Sequence, residues 1–508
     1  MANGWSEGYM AETNYTHGFY RELSPSLLAV AALAANQTAP DPAKPLTYCE
    51  LGCGQGVTVN LLAAANPDIQ FYANDFNPSQ IADAQALAAE AGTANIHFLN
   101  DSFAEMAART DLPDFDIIVL HGIYSWISAE NRRHIVAFIA RRLKVGGLVY
   151  ISYNTLPGWA VMLPLQRLLM DQPLGGDIPV LARIEQALKA AETLADGNAR
   201  YFQANPGVAA RMKQIRTQPR AYVAHEYFNR HWTPMYHADV VEDLAAIKLT
   251  WIATARPLDG IDNLQFTTEQ LALLNNVENR TRREGLKDYI LNQQFRRDLF
   301  VKGPIPLHGL RSETIWRETP FVLTVGEASL RDLKIATPMG ELSASSSIFP
   351  PIIRHLATGP VTAGELAAAL PQLSFGQICQ TLTILASQDN AHPCVAPEKA
   401  AAAKPHTDRF NRAVLARARF SADIGVLASP LTGGGFLMDQ MTQMLFSAHL
   451  AGVDAVASVW SHMRASNQRF SQDGQMIVEE EANIAELRRR DATFTNETWP
   501  VLKRLQIV

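Results

Sequence analysis

A short apolar run over residues 46–51 (LTYCEL) passes straight into Gly52-Cys53-Gly54-Gln55-Gly56 and then into helical sequence over 57–65. Three alternating glycines between a buried strand and a helix give a turn free to take left-handed backbone conformations and bare of Cβ atoms. Such a loop is either a tight connection or a backbone surface open to a ligand, and alone it does not choose between them. The pattern then repeats. Residues 70–74 read as a second strand ending in Asp75, 79–91 as a helix, and 96–99 as a third strand ending in Asn100-Asp101. Residues 116–120 read as a fourth strand, 131–143 as an amphipathic helix closed by Lys144-Val-Gly-Gly, and 148–153 as a fifth strand. Upstream, Ser24-Pro25 opens a helix, with serine as cap and proline at its first position. Strands alternating with helices predict a doubly wound, parallel α/β sheet with right-handed crossovers. Ligands of such sheets sit at the carboxyl ends of the strands, where every distinctive residue of this region falls.

The chain has 508 residues, enough for about three domains. Its composition, 47% hydrophobic and 19% charged, is that of a folded globular protein. A net charge of −6 excludes a generally basic nucleic-acid coat, so no nucleic-acid partner is expected. Cys49, Cys53, Cys379 and Cys394 are too few for a disulfide scaffold, and Cys49 and Cys53 lack a second ligand pair for zinc. No metal is expected, and reduced thiols in a cytoplasm are the default. The first residues lack the basic-then-apolar pattern of a secretory signal. The longest apolar run, 27–35, falls short of the roughly 20 residues that cross a bilayer, so no membrane partner is expected.

Asp75 lies 19 residues after Gly56, at the end of the second strand. A carboxylate there accepts hydrogen bonds from ribose hydroxyls, and the spacing alone suits a dinucleotide. The glycines, however, run G-x-G-x-G rather than G-x-G-x-x-G, and Glu50 stands two residues before the first. That acid disfavours a diphosphate and suits a cationic ligand, such as a nucleoside with a positive sulfonium and an amino-acid tail. Asp101-Ser102-Phe103 ends the third strand. A carboxylate and a free N–H at this spot can read an adenine edge, or Asp101 can simply cap the following helix.

At Glu50-Leu-Gly-Cys-Gly-Gln-Gly56, Asp75 and Asp101 the chain resembles the class I S-adenosylmethionine-dependent methyltransferases, over about residues 45–155. The resemblance implies S-adenosylmethionine as cofactor, held by Glu50, Gly52, Cys53, Gly54, Asp75, Phe76, Asp101, Ser102 and His121, with Tyr15 and Tyr20 from the segment before the sheet. Gly52 and Gly54 would pack against its methionine tail and Phe76 against its adenine. Four further stretches are similar to a bacterial group that carries a methyltransferase regulatory domain and includes rickettsial-type protein lysine methyltransferases. They are residues 8–20, His121-Gly-Ile-Tyr-Ser-Trp126, Ser152-Tyr-Asn-Thr-Leu-Pro-Gly-Trp159 and His225-Glu-Tyr-Phe-Asn229. The implied organisation is a methyltransferase domain with an N-terminal lid over 1–160, a helical regulatory or substrate domain over 161–330, a winged-helix-like domain over 331–400 and a C-terminal helical region over 401–508.

Tyr9, Tyr15, His17 and Tyr20 precede the sheet, and either close over the cofactor as a water-excluding lid or staple the first helix. His121 ends the fourth strand, where class I enzymes place the transferring methyl. Tyr124, Trp126, Tyr153 and Trp159 would then line the acceptor pocket, or else pack the sheet edge. A lysine acceptor has an ordinary pKa of about 10.4 and must lose its proton before it attacks. A dry aromatic pocket lowers that pKa, and a cation–π face holds the amine on its way in. His121 is a candidate base, although its backbone alone can serve such a site. In-line displacement rests on positioning and requires no nucleophile triad. The expected activity is methyl transfer to protein lysines. The alternatives are a small-molecule methyltransferase, a non-enzymatic cofactor sensor or scaffold and, more remotely, a nicotinamide dehydrogenase.

Downstream, His225, Tyr227, His231 and His237 are expected to cap the acceptor pocket. The run 280–302 holds seven Lys or Arg against three Asp or Glu and reads as a solvated face with local ion pairs. Residues 345–398 read as three helices (348–357, 362–370, 375–388) and a β-wing at Cys394-Val-Ala. No Lys or Arg lies between Arg354 and Lys399, so this module has nothing to neutralise DNA phosphates and is read as a packing domain. Residues 400–405 read as a linker, and Gly433-Gly-Gly435 lacks the context of a phosphate cradle. Glu479-Glu-Glu481 and Arg488-Arg-Arg490 read as opposite ends of one helix, as its dipole favours.

Overall fold

The computed structural model describes residues 17–171, 179–472 and 475–508. The expected alternation is present as β1 (Thr47–Leu51), β2 (Gln70–Asn74), β3 (Ile96–Leu99), β4 (Phe115–Leu120) and β5 (Leu143–Asn154), mutually parallel. They alternate with α1 (Pro25–Ala34), α2 (Val57–Ala65), α3 (Pro78–Ala91), α4 (Phe103–Ala108) and α5 (Ala129–Arg142). Because successive side chains point to opposite faces, Tyr48, Phe71 and Tyr150 join the core shared with α1 and α2. Cys49, Ile118 and Val149 join the core under α4 and α5.

Two further strands complete the sheet. β6 (Leu249–Thr254) and β7 (Phe295–Lys302) add antiparallel, giving the order β3-β2-β1-β4-β5-β7-β6. The region expected to be helical over 161–330 therefore returns to the sheet after a helical insertion. That insertion comprises α6 (Leu163–Met170), α7 (Val180–Asp196), α8 (Arg200–Ala204), α9 (Pro206–Thr217), α10 (Arg220–Tyr227) and α11 (His237–Ala245). Helices α6 to α10 gather around a core of their own, which includes Trp159, Leu165, Leu188, Phe202 and Trp232.

The basic run 280–302 is not the solvated face expected from its charge. Arg296 and Asp298 of β7 are buried, and Asp298 accepts hydrogen bonds from Arg296 Nε (2.9 Å), Tyr153 Oη (2.6 Å) and Trp251 Nε1 (3.0 Å). His237 Nδ1 lies 3.1 Å from the same carboxylate. The positive charge of Arg296 holds the Asp298 carboxyl well below the usual carboxylate range, against the opposing effect of burial.

The C-terminal half is wrapped onto this body. Residues 400–405, expected to be a linker, lie within one helix, Pro397–Arg417, that carries Pro405 inside it. Alanine is the strongest helix former, and Ala400 and Ala403 are buried in this helix, which packs on α2 and α3. Arg417 fixes its far end to Glu90 of α3 with two 2.8 Å hydrogen bonds. Three helices form close to their expected places, at Phe349–Thr358, Ala363–Ala369 and Phe375–Ser387. Their small sheet takes its central strand from Pro320–Leu323, upstream of all three, and pairs it with Val361–Thr362 and Ala391–Pro393. Cys394 thus follows a strand rather than opening a wing. The glycines at 433–435 belong to the hairpin of Val426–Ser429 and Gly434–Leu437. Among the described residues no helix is long and apolar enough to cross a membrane.

Replacing Asp298 by Ala leaves the buried Arg296 guanidinium without its main counter-charge. Breaking one partner of a buried pair costs about 3–5 kcal/mol, so D298A is expected to lose that much stability in urea unfolding at neutral pH. An unchanged midpoint would show that β7 is held by its apolar residues alone.

Candidate active site

The cavity that matters opens at the carboxyl ends of β1, β2 and β4, beneath α9 and α10, with a volume of about 380 Å³. The glycine loop forms one wall. Gly52 has φ +75°, donates its N–H to Asn74 O (2.9 Å) and packs so closely that a Cβ would stand 2.4 Å from Ile123 Cδ1. Gly54 has φ +55° and donates its N–H to Asp75 Oδ2 (3.0 Å). Among the described residues a Cβ at Gly54 would meet only Gln80 Oε1, at 3.9 Å.

Acids surround this loop. Glu50 is buried, and one of its carboxylate oxygens has no hydrogen-bond partner. Burial, with the Asp75 charge adding to it, pushes the Glu50 carboxyl up to about 8. Burial raises Asp75 to about 6, in spite of N–H donors from Asn77 and Gly54. The Cys53 thiol is likewise pushed up by burial and stays protonated. Asp101 also lines the cavity, with Oδ2 paired to Arg109 Nη1 at 2.8 Å. Ser102, not Asp101, caps α4. Its N–H donates to Glu105 Oε2 (2.8 Å) in a capping box, so the free N–H expected there is already engaged.

His121, Tyr20 and Phe76 line the same cavity. The Tyr20 ring stacks on His121 with centroids 3.8 Å apart, and His121 Nδ1 lies 2.8 Å from Tyr150 Oη. Burial drives the imidazole down to about 4, so it is neutral at physiological pH and a weak base. His17 turns to Asp83 instead, at 3.0 Å. Tyr9 and Tyr15 lie outside the described residues. Trp126 and Trp159 do reach the cavity, and both pack on Trp232, Trp126 stacked at 5.8 Å and Trp159 edge-on at 5.3 Å.

Two of the expected acceptor-pocket residues do not reach it. Tyr153 shares the face of β5 that points away from His121, and its hydroxyl is spent on Asp298. Tyr150 and Ser152, one strand position over, serve the site side, with Ser152 Oγ accepting the Gly122 N–H at 2.8 Å. Tyr124 is fully buried beneath the sheet, its hydroxyl 3.4 Å from Asp243. Of the four residues expected as caps, His225 and His231 line the cavity. Tyr227 instead accepts from Arg211 Nε (3.0 Å), and His237 is buried against Asp298.

Sequence reasoning missed part of the lining. Arg211 of α9 and Tyr222 and Glu226 of α10 face the cavity, joined by Gln294 and Phe295 at the start of β7. Desolvation raises the Glu226 carboxyl to about 7. The His225-Glu-Tyr-Phe-Asn229 stretch contains Glu226, but an acid on a short helix reads as a surface residue unless the neighbouring layer is known.

The chain has recognisable relatives. Residues 49–149 match the model of a methyltransferase domain, and residues 219–302 that of a predicted methyltransferase regulatory domain. An uncharacterized protein of Synechocystis, sll1526, is 39% identical over 505 residues, covering 99% of both chains. The solved structure of PKMT2 from Rickettsia typhi is 19% identical and shares the fold at a TM-score of 0.68, over 96% of this chain and 99% of that one. The same protein solved in complex with AdoHcy matches at the same TM-score. A malonyl-[acyl-carrier protein] O-methyltransferase of Paenibacillus is 30% identical over 106 residues, 21% of this chain and 38% of that one.

The turn carrying Trp159 is held against the segment leading into β7. Trp159 Nε1 donates to Gln294 O (2.7 Å) and Gly158 N–H to Gln293 O (3.1 Å). A Cβ on Gly158 would stand 2.2 Å from that Gln293 oxygen and 2.6 Å from Asn292 O. G158A is therefore expected to push the turn off the strand and destabilise the protein by about 1–3 kcal/mol, the usual range for overpacking. Thermal unfolding followed by tryptophan fluorescence reads both effects, and wild-type behaviour would mean that the turn yields without strain.

Proposed function

We propose that this chain, which belongs to the class I S-adenosylmethionine-dependent methyltransferases with a methyltransferase regulatory domain, methylates lysine side chains of proteins. One observation carries the reading. A single cavity joins the acid-flanked glycine loop to a chamber walled by Trp126, Trp159 and Tyr222 under the helical layer. The full-length fold likeness to PKMT2 supports a protein acceptor. Four free cysteines support a cytoplasmic setting.

The residues present fit the cofactor. A buried carboxylate oxygen of Glu50 has no partner, as a site for a cationic amino-acid ligand requires, and Gly54 offers backbone bare of side chain. Asp75 would take the ribose hydroxyls, Glu50 would oppose the positive charge of the amino-acid end, and Phe76 would lie against the adenine. Asp101, anchored by Arg109, would be the adenine-side acid. When bound, S-adenosylmethionine supplies a sulfonium methyl that is open to in-line attack. Tyr20 and the helical layer exclude water from that line. Neutral His121 holds Tyr20 and Tyr150 in register and is not the base. The tryptophan walls desolvate an entering amine, lowering its pKa toward the neutral form that can attack.

Two measurements test this. Labelled methyl from S-adenosylmethionine, added to a cell lysate with the protein, is expected on protein and recoverable as methyl-lysine. Label confined to small molecules would overturn the protein acceptor. The second test uses Glu50, which at pH 7 is mostly protonated because its pKa lies near 8. A cation beside it favours the carboxylate, so cofactor binding should release close to one proton. Affinity should rise by up to about tenfold per pH unit toward pH 8 and level off above it. Calorimetry in buffers of different ionisation heat measures the release, which E50Q should abolish. Binding that moves no proton would remove Glu50 from the cofactor.

A further inference from the structure

Resting on that reading, we propose that Glu226 is the group that receives the acceptor's charged amine and takes its proton. Among the described residues lining the cavity, four are acids, and three of them belong to the strand ends: Glu50, Asp75 and Asp101. Glu226 is the one of the four contributed by the helical layer.

Among the described residues Glu226 has no hydrogen-bond or ion-pair partner, although its side chain is partly buried. The cation nearest to it in effect, Arg211, is committed elsewhere. Arg211 Nε donates to Tyr227 Oη at 3.0 Å, Nη1 reaches Gln214 Oε1 at 3.3 Å, and the guanidinium lies 5.7 Å from the centre of the Trp159 ring. On the outer side of the layer the charges pair among themselves, Arg216 with Glu192, Arg220 with Glu185 and Arg167 with Asp171. Tyr222, Tyr227 and His225 stand on the same helix as Glu226, and Tyr20, His121 and His231 stand on other walls. None of these is a permanent cation. A carboxyl desolvated in this way lacks only a cation to become a stable carboxylate.

An ammonium entering between the tryptophans meets this need. Its N–H bond breaks, an O–H bond forms on Glu226, and the amine is left neutral with its lone pair available. Burial has already raised the Glu226 carboxyl to about 7, which narrows the gap to an amine whose own pKa the dry chamber lowers. The proton leaves to water when the methylated product departs. A carboxylate acceptor is repelled by such a group, and a hydroxyl lacks the positive charge that pairs with it, so Glu226 also favours the binding of amines.

The test pairs E226Q with E226D and uses two readouts. In the first, binding of n-butylammonium and of n-butanol to the protein is followed by tryptophan fluorescence at pH 7.5. Wild type should favour the ammonium at least tenfold, E226Q should not, and E226D should retain part of the preference. In the second, kcat/KM for a lysine-containing protein acceptor is measured with S-adenosylmethionine saturating. In wild type it should rise with pH through about 7, as Glu226 ionises. In E226Q it should fall about a hundredfold and lose that rise, while cofactor Kd and Tm stay within error of wild type; E226D should keep the rise. Lysine methylation in wild type with an unchanged pH profile and amine preference in E226Q would overturn the role of Glu226 and leave the lysine reading standing. Transfer by wild type only to oxygen acceptors or small molecules would overturn that reading, and this inference with it. A fall in Tm or cofactor affinity in both variants would make Glu226 a structural residue and overturn the proposal.

Discussion

The burial of Asp298 is the constraint on which the site depends. β7 reads FRRDLFVK, and a strand with three adjacent charges can run through the middle of a sheet only if those charges are satisfied. On one face Arg296 and Asp298 close on each other, on Asp288, on Tyr153 and on Trp251. On the other, Arg297 pairs with Glu22 at 2.8 Å and lies over Phe295. That second face touches the site, because Phe295 meets His121 edge-on and Gln294 holds the Trp159 indole. The segment matched by the regulatory-domain model thus supplies a structural strand of the catalytic sheet as well as α10.

Five acids in this protein show how environment divides one functional group into different roles. Asp298, beside a buried guanidinium, is depressed. Its contribution to stability is present above the ordinary carboxylate pKa and is lost as pH falls through the lowered one. Asp101 is tied to Arg109 and has a fixed position. Glu50 and Asp75 are buried and Glu226 is half-buried, none with a full counter-charge, and all three are raised. Each raised acid works against folding as pH climbs from its unfolded pKa to its folded one, and each recovers that loss when a cation arrives. On the proposed reading, the cavity is completed by positive charge from the cofactor and from the acceptor.

The five parallel strands and their helices were legible because each rests on local signals, a period of two, a cap or a glycine stop. β5 begins at Leu143, earlier than the sequence suggests, because Lys144-Val-Gly-Gly has the composition of a helix stop and yet continues the strand past an irregularity opposite Phe115. β6 and β7 were hidden, since charge in a strand is compatible with burial only when partners distant in sequence are known. The same limit explains Tyr153, whose side follows from strand phase, and residues 400–405, whose alanines are helical because α2 and α3 lie against them. At the site, the loop acids were visible from spacing. Glu226 was not, because its burial comes from a layer more than a hundred residues away from the loop it faces.

That layer and the body are held by different kinds of contact. The glycine loop leads directly into α2, which is packed on both sides, by the sheet and by the helix Pro397–Arg417. The loop's backbone is thus fixed by long-range apolar packing, as a surface that approaches a cofactor without a Cβ must be. The helical layer closes mainly on itself, and it meets the body through Trp126 and Trp159 on Trp232 and through a few backbone hydrogen bonds near Gln294. The two halves of the reaction therefore rest on different parts of the chain. On the proposed reading, cofactor geometry is set by the sheet and the C-terminal helix, and acceptor geometry by a separately cored insertion together with Trp126 and Trp159. Such an insertion can change its acceptor surface without disturbing the glycine loop, which is why the residues at the strand ends speak of the cofactor and those of α9 and α10 speak of the substrate.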